Sequence, residues 1–582
     1  MASIKHSIAL LSALATIGAT SPACEAKPCF TKPVDSLETL NKTLNGRVQD
    51  NRPFAHPCFS MYEGKPVTRD AAACAAIIEN YHSVPYRAAI GSAYGSDSSD
   101  ACIGDPDDRC ILDTRHANDT AAWEGQNCRQ GDVPPHIIDV RGVCDVQAAL
   151  SFSRETGRRL VVKNSGHDFN AHSSGRGALA LWTRHLQKKE YNPAFVAEGA
   201  PASEQHRAIT IGAGVNCGEA YGFARDNDIT ILCGYSATVG MSGGWVLNAG
   251  HSVLSPAFGL GIDRVLEFKV VTADGKLRVA NAHQNQDLFW ALRGGGGQAF
   301  GIVIESTHKA EANFPVVSSS INFPSTDLQD IKDWVRLLAS EAVGWSEKGW
   351  GGHIIGNTLV YITAKESLED AKKTMQKATD FALARGGKSD LVAYDSWHPF
   401  YENVITKNPA MAGGNRLPYS RLIAKDVIGT KEGQDKIYNF YDENLTDKSQ
   451  VYIDVTTPIV YKDYKVNSTS ATEGWRNSVW HLVSGLEWSY NATTDTREDV
   501  IRDINRRTRQ LHDISPNTGA YMNEASMYTS DWKQAFWGEE KYATLLAIKK
   551  RYDPEGILNC FRCVGWEDSD EACMSAFQNI GE

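Results

Sequence analysis

No apolar run in this 582-residue chain approaches the roughly 18 residues that a membrane-spanning helix needs, so no span is expected. Lys/Arg-rich blocks are also missing, and 59 Lys+Arg against 70 Asp+Glu leave a formal net charge of −11. That balance excludes an electrostatic nucleic-acid surface. There is no internal repeat or low-complexity tract. No second ligand pair at metal spacing accompanies the loop histidine His167, so no metal is expected. Gly294–Gly297 lacks the Lys-Ser/Thr pair of a phosphate loop, which excludes an ATP or GTP site. In Gly212-Ala-Gly214-Val-Asn-Cys-Gly218 the third glycine falls one residue late for a dinucleotide fingerprint, and no acidic residue closes a strand at the right distance. A tight strand-to-helix turn is the reading there.

Hydrophobic residues make up 42% and charged residues 22%, the composition of a globular protein long enough for several domains or a two-domain enzyme. Cysteine is plentiful: of 13, eight lie between Cys24 and Cys144, which predicts a disulfide-pinned N-terminal region in an oxidising compartment. Lys5 and His6 before an apolar run of about a dozen residues, then Ser21-Pro22-Ala23, read as a signal peptide over 1–23. Five Asn-x-Ser/Thr sequons, at Asn41, Asn118, Asn444, Asn467 and Asn491, suit the same route. The expected location is therefore secreted, or an endomembrane or vacuolar lumen. An odd cysteine count leaves at least one unpaired, and Cys217 and Cys233, in strongly patterned segments, read as buried thiols. For Cys560-Phe-Arg-Cys563 with Cys573, a disulfide is the simpler account than zinc.

Residues 24–131 read as a cysteine-rich cap with little regular structure. From Pro134 the pattern becomes α/β: strands at Ile137–Val140, Arg159–Lys163, Ala178–Trp182, Ala208–Gly212, Ile229–Cys233 and Gly301–His308, and helices at Asp145–Thr156 and Asp287–Leu292. Arg264–Val271, Ala273-Asp274-Gly275 and Lys276–Ala280 predict a hairpin. Beyond Pro315 the expectation is strands at Gly352–Thr363, Gln450–Tyr461 and Val479–Tyr490. One capped helix is expected over Ser367–Arg385, and a polar helix from about Glu498. The aromatics Trp345, Trp350, Tyr361, Tyr452, Trp480, Trp488 and Tyr490 read as core by default.

Several motifs follow in order: Ser165-Gly-His-Asp-Phe169; Gly234-Tyr-Ser-Ala-Thr-Val-Gly240-Met-Ser-Gly-Gly244; Asn248-Ala-Gly-His251; Phe258-Gly-Leu-Gly-Ile-Asp263; and Trp290 through Ile304. Near the C-terminus stand Gly519-Ala-Tyr-Met-Asn-Glu524, Asp531-Trp532, Phe536-Trp-Gly538 and Lys549-Lys-Arg-Tyr-Asp-Pro554. Together they resemble the vanillyl-alcohol oxidase superfamily, with its PCMH-type FAD-binding domain, and within it the berberine-bridge-enzyme-like oxidases. The likeness is greatest to secreted fungal members, some called isoamyl alcohol oxidases. It spans roughly 134–311 and 516–566.

The resemblance implies an α+β fold, in which a two-subdomain FAD-binding domain joins a substrate domain whose antiparallel sheet is backed by helices. It divides the chain into 132–313 for FAD, 314–500 for substrate and 501–582 returning to the FAD domain. It implies FAD joined covalently through His167, with Asn164, Ser165, Gly166, Asp168, Ser236, Thr238, Val239, Gly240, Ser242, Gly243, Gly244, Gly250, His251, Gly301, Val303 and Asn523 around the cofactor. Relatives often add a second link through a cysteine where this chain has Ser236, so a single histidyl link is expected. Val239 stands where a small residue leaves room for oxygen. Tyr521, acidified beside a cation or the flavin, and Glu524, on the opposite face of a strand, are the candidate bases. The implied reaction is hydride transfer from a C–H next to an OH or NH, with O2 giving H2O2. Its substrate would be an alcohol, a sugar or a secondary-metabolite intermediate, and the expected state is a monomer. The alternatives are a flavoprotein cyclase or isomerase without net oxidation, and a non-enzymatic binding protein that keeps the flavin as structure.

Overall fold

The computed structural model describes residues 29–30, 33–407, 411–567 and 573–580. The expected signal peptide, 1–23, lies outside the described residues. The chain builds a mixed α+β fold around three larger sheets.

The first sheet has the order Val48–Asp50, His136–Asp139, Leu179–Trp182, Leu160–Lys163. The last three strands run parallel, and their short apolar runs are buried on both faces, as parallel strands require. Helix Val143–Thr156 links two of them and stops at Gly157, whose left-handed φ of 69° caps it. Val48–Asp50 comes from the cysteine-rich N-terminal region and pairs antiparallel with His136–Asp139. That region therefore contributes a strand to the sheet as well as covering it, and it carries helix Ala71–Glu79.

The second sheet is antiparallel, in the order Leu277–Asn281, Val265–Val271, Ile302–Lys309, His206–Gly212, Lys189–Phe195. Its hairpin closes as expected at Asp274-Gly275, with the Thr272 hydroxyl donating to Asp274 at 2.6 Å. Gly212 and Gly214 form the strand-to-helix turn. A Cβ on either would sit within 2.3 Å of the carbonyl oxygen of Leu186 or Arg184, so no side chain fits. Asn216 then caps helix Cys217–Asp226 with Glu219 completing a capping box. Of the strand expected over Ile229–Cys233, only Ile229–Thr230 forms, and it pairs with Glu311–Ala312 in a separate two-stranded sheet.

The third sheet has seven antiparallel strands: Lys388–Tyr394, Val316–Asn322, Thr358–Thr363, Gly351–Ile355, Tyr452–Val455, Ser478–Trp488 and Asn415–Ala424. Helices Leu328–Glu347, Lys431–Asn444 and Thr494–Ile514 back it. The first buries Ile331, Trp334, Val335, Leu338, Ala342 and Trp345, one stripe at helical spacing. The single strand expected over 352–363 is a hairpin, because Gly356 takes a φ of 57° and turns the chain at Gly356-Asn357. The helix expected over Ser367–Arg385 divides into Leu368–Thr374 and Gln376–Leu383 at Met375. Just before the break, the Thr374 hydroxyl bonds to Glu366 at 3.0 Å. Trp345, Trp350, Tyr361, Trp480 and Trp488 are buried core, as expected.

Twelve cysteines form six disulfides: Cys29–Cys144, Cys58–Cys74, Cys102–Cys573, Cys110–Cys128, Cys217–Cys233 and Cys560–Cys563. The remaining one, Cys24, is outside the described residues. Cys217 and Cys233 are thus bonded to each other and are not free thiols; the segment after Thr230 folds back over the start of helix Cys217–Asp226. Cys102–Cys573 ties the N-terminal region to the C-terminal segment. A fully buried pair joins that region internally, Arg87 to Asp97 at 3.0 Å, and Asp97 also accepts from the Gly414 N–H at 2.9 Å.

Candidate active site

Strand Leu160–Lys163 ends in the turn Asn164–His167, which opens into a deep cavity. Gly166 has φ +82°, and a Cβ there would crowd the Tyr94 backbone at 3.1 Å, so the turn needs glycine. The ring nitrogen Nε2 of His167 lies 2.5 Å from the Thr238 hydroxyl, itself 3.4 Å from that of Ser236. Burial lowers the His167 pKa to about 4, against a smaller opposing pull from Glu524, so its imidazole is neutral. Asp168 holds the following loop by accepting from the N–H groups of Asn170 at 2.9 Å and Ser173 at 2.6 Å. Asn523 clamps the same loop from the C-terminal segment: its amide donates to the His167 carbonyl at 3.1 Å and accepts from the Phe169 N–H at 3.3 Å.

Asn164, Ser165, Gly166, His167, Asp168, Ser236, Val239, Gly240, Gly243, Gly244, His251, Gly301, Val303, Tyr521, Asn523 and Glu524 share this one cavity. Three residues of the expected set stand off its wall. Thr238 touches it through His167. Ser242 is buried behind it, accepting from Ser306 at 2.7 Å. Gly250 forms a packing corner, where a Cβ would lie 2.8 Å from Gly261. Nor do Tyr521 and Glu524 occupy opposite faces of a strand. Met522–Glu524 is a 3₁₀ turn, whose three-residue period brings both side chains to the cavity.

The far wall comes from the seven-stranded sheet: Tyr452, read as core by default, lines it instead, and His353 and Asp454 beside it were not singled out from the sequence, with Tyr235 and Asn248 joining from the loops. The available signal was a charged residue inside an apolar strand, Ile453-Asp454-Val455. Asp454 is 1% exposed; burial opposes its charge, yet His353 and His481 hold its carboxyl below the usual range. His251 lies 3.7 Å from Glu524. Burial works against a charge on His251, but the carboxylates of Glu524 and Asp454 outweigh it and raise its pKa. Burial, then Glu524 and Asp454, push the Tyr521 phenol well above its ordinary value. Neither Lys nor Arg lines the cavity among the described residues, and the basic ring beside the phenol is that of His251, with centroids 4.8 Å apart.

Comparison with known proteins gives these features a common origin. A family profile described as an FAD binding domain matches residues 134–281, and one described as berberine and berberine like matches 520–562. The FAD-linked oxidoreductase cheF of Chaetomium globosum is 36% identical over 93% of this chain and 89% of its own. The crystal structure of the VAO-type flavoprotein MtVAO713 from Myceliophthora thermophila C1 superposes with a TM-score of 0.82 at 24% identity, covering 95% of this chain and 99% of that one. A glucooligosaccharide oxidase from Acremonium strictum, described with a 6-S-cysteinyl, 8α-N1-histidyl FAD, gives a TM-score of 0.61 at 20% identity over 74% of this chain and 92% of its own.

The chain belongs to the vanillyl-alcohol oxidase superfamily, among its berberine-bridge-enzyme-like FAD-linked oxidoreductases. It is an oxidoreductase, and its cofactor is FAD. The cavity suits that cofactor. A Cβ on Gly243, Gly244 or Gly297 would meet nothing closer than 3.8 Å, so these glycines keep open space where side chains would fill it. Asn164 Oδ1, Asn248 Oδ1 and Gln298 Nε2 are buried without a partner on the cavity wall, matching a ligand rich in both donors and acceptors.

Proposed function

We propose that the protein is an oxidase holding FAD covalently through His167 alone, with residues 132–313 and 501–582 around the cofactor and 314–500 over the substrate. The observation that carries this reading is the shared cavity: a neutral histidine at one end, a glycine-lined trough beside it, and a histidine–carboxylate cluster opposite. Thr238 engages His167 Nε2, leaving Nδ1 as the nitrogen for the link. Ser236, where relatives carry cysteine, supplies no thiolate for a second one. Backbone N–H groups of Asn164–Gly166 and Gly240–Gly244 are the donors for the cofactor's pyrophosphate, since neither Lys nor Arg lines the cavity among the described residues.

When bound, FAD supplies a two-electron hydride acceptor that passes its electrons to O2 and yields H2O2. The protein's own residues do the rest. Asp454 and Glu524, paired with histidines and with neither Lys nor Arg on the cavity wall among the described residues, select against anionic substrates and leave neutral or cationic ones. Tyr521, kept protonated, donates a hydrogen bond to the substrate oxygen, and Glu524 paired with His251 closes the same wall. Val239, on the wall, leaves space for oxygen. The substrate class is a small molecule whose oxidised carbon bears an OH or NH: an alcohol, a sugar or a secondary-metabolite intermediate. The disulfides fit a secreted or lumenal protein, and no described helix is long and apolar enough to cross a membrane. We take the working unit to be a monomer.

An oxygen-uptake screen with peroxide detection, across neutral alcohols, oligosaccharides and polyketide- or alkaloid-like intermediates, tests this reading. Turnover-linked oxygen consumption with stoichiometric H2O2 is expected. Product formation without oxygen uptake would instead identify a cyclase or isomerase.

A further inference from the structure

Three neighbouring antiparallel strands place His353, Asp454 and His481 in one row: His353 is the register partner of Asp454, and Asp454 that of His481. One Asp454 oxygen is hydrogen-bonded to His353 Nδ1, and the other lies 3.6 Å from His481 Nδ1. A carboxylate at this depth persists only with such partners. The bond fixes the His353 proton on Nδ1, which leaves Nε2 with a free lone pair. That Nε2 is buried and has no partner, while the ring forms part of the cavity wall. The groups facing the ring are Asp454, Tyr235 with centroids 4.2 Å apart, and Tyr452 at 6.2 Å; His481, Glu524 and His251 lie behind Asp454.

We propose that His353 is the general base of the oxidation, taking the substrate's hydroxyl proton on Nε2, and that Asp454 is the positioning residue that sets its tautomer and orientation. The inference rests on the oxidase reading above. The substrate's O–H bond breaks and its electron pair closes the C=O bond. The C–H hydrogen leaves with two electrons to oxidised FAD, and the proton ends on His353 Nε2, where the Asp454 carboxylate neutralises the imidazolium. Tyr521, its phenol held protonated by burial and by the carboxylates of Glu524 and Asp454, acts as donor and not as acceptor.

The test compares flavin-loaded wild type with His353→Gln, Asp454→Asn and Tyr521→Phe, using an alcohol found in the oxygen-uptake screen. His353→Gln should lower kcat/KM by about 10²–10⁴-fold and abolish the acidic limb of its pH profile. Flavin content per folded molecule should be unchanged, while the melting temperature should fall because Asp454 loses a buried partner. Asp454→Asn should lower the rate and move that limb to lower pH. A second readout needs no turnover: in ¹⁵N-histidine spectra, the signals lost in His353→Gln should show Nδ1 protonated and Nε2 bare at neutral pH, and Asp454→Asn should abolish that preference. A wild-type pH profile in His353→Gln, or a proton on Nε2, overturns the proposal. Absence of oxygen uptake by wild type would refute the oxidase reading instead, and the tautomer would still decide the arrangement of His353 and Asp454.

Discussion

His167 Nε2 and the Thr238 hydroxyl meet at 2.5 Å, joining two loops 71 residues apart in sequence. The contact orients the ring through Nε2 and leaves Nδ1 for the flavin link, with the Ser236 hydroxyl 3.4 Å beyond that of Thr238 and on the same cavity wall. Ser236→Cys puts a thiol where the two-link relatives have one. The variant should acquire a second attachment. Flavin should then stay protein-bound after acid precipitation even in a His167→Ala background, where Ser236 itself leaves none bound.

Cys217–Cys233 closes a loop of 16 residues between the turn below Val239 and the start of helix Cys217–Asp226. Chain-entropy reasoning puts its worth at about 3 kcal/mol. The double variant Cys217→Ser/Cys233→Ser should lose about that much in equilibrium denaturation. Covalent flavin should be retained in the fraction that folds.

His308 is buried, with its Nε2 2.6 Å from the Ser306 hydroxyl; burial, then Arg264, lowers its pKa to about 3. The folded state therefore keeps this ring neutral at pH values where the unfolded chain protonates it, near 6.5. Stability should be fully present above pH 6.5 and fall as the pH drops towards the folded value, by on the order of 2 kcal/mol per such histidine between pH 7 and 5. His308→Gln should reduce the proton uptake on unfolding in that window by about one. Urea midpoints at pH 7, 6 and 5 measure this slope, whatever the variant's absolute stability.

Of the five sequons, Asn444 is 3% exposed; its amide donates to the Phe440 carbonyl at 2.8 Å and accepts from Arg506 at the same distance. A glycan there cannot coexist with the packed helix Lys431–Asn444. Asn118, Asn467 and Asn491 are exposed. Protein made in a secreting host should carry sugar at these three positions and none at Asn444, as read by glycopeptide mass spectrometry.

The parts of the fold legible in sequence were those whose cause is local. Ile137, Leu160 and Leu179 lie in short apolar runs that form a parallel sheet, and Asp274-Gly275 dictates its own hairpin. His167 was legible because its turn carries glycine and small residues in order. The hairpin at Gly356-Asn357 hid within an unbroken apolar stretch. The Cys217–Cys233 bond depends on a chain reversal that no single segment announces. His353, Asp454 and His481 were missed for the same reason: each is one polar residue in a separate strand, and only the sheet register makes them neighbours. The phenol of Tyr521 was expected to be acidified. The structure surrounds it with carboxylates, which push it the other way.

The most direct test of the account is proteolysis of the acid-precipitated protein followed by mass mapping of its flavin. The account requires flavin on one peptide only, the one containing His167, with the modification on that residue. Complete release of flavin on precipitation, or its attachment to any other residue, would contradict it.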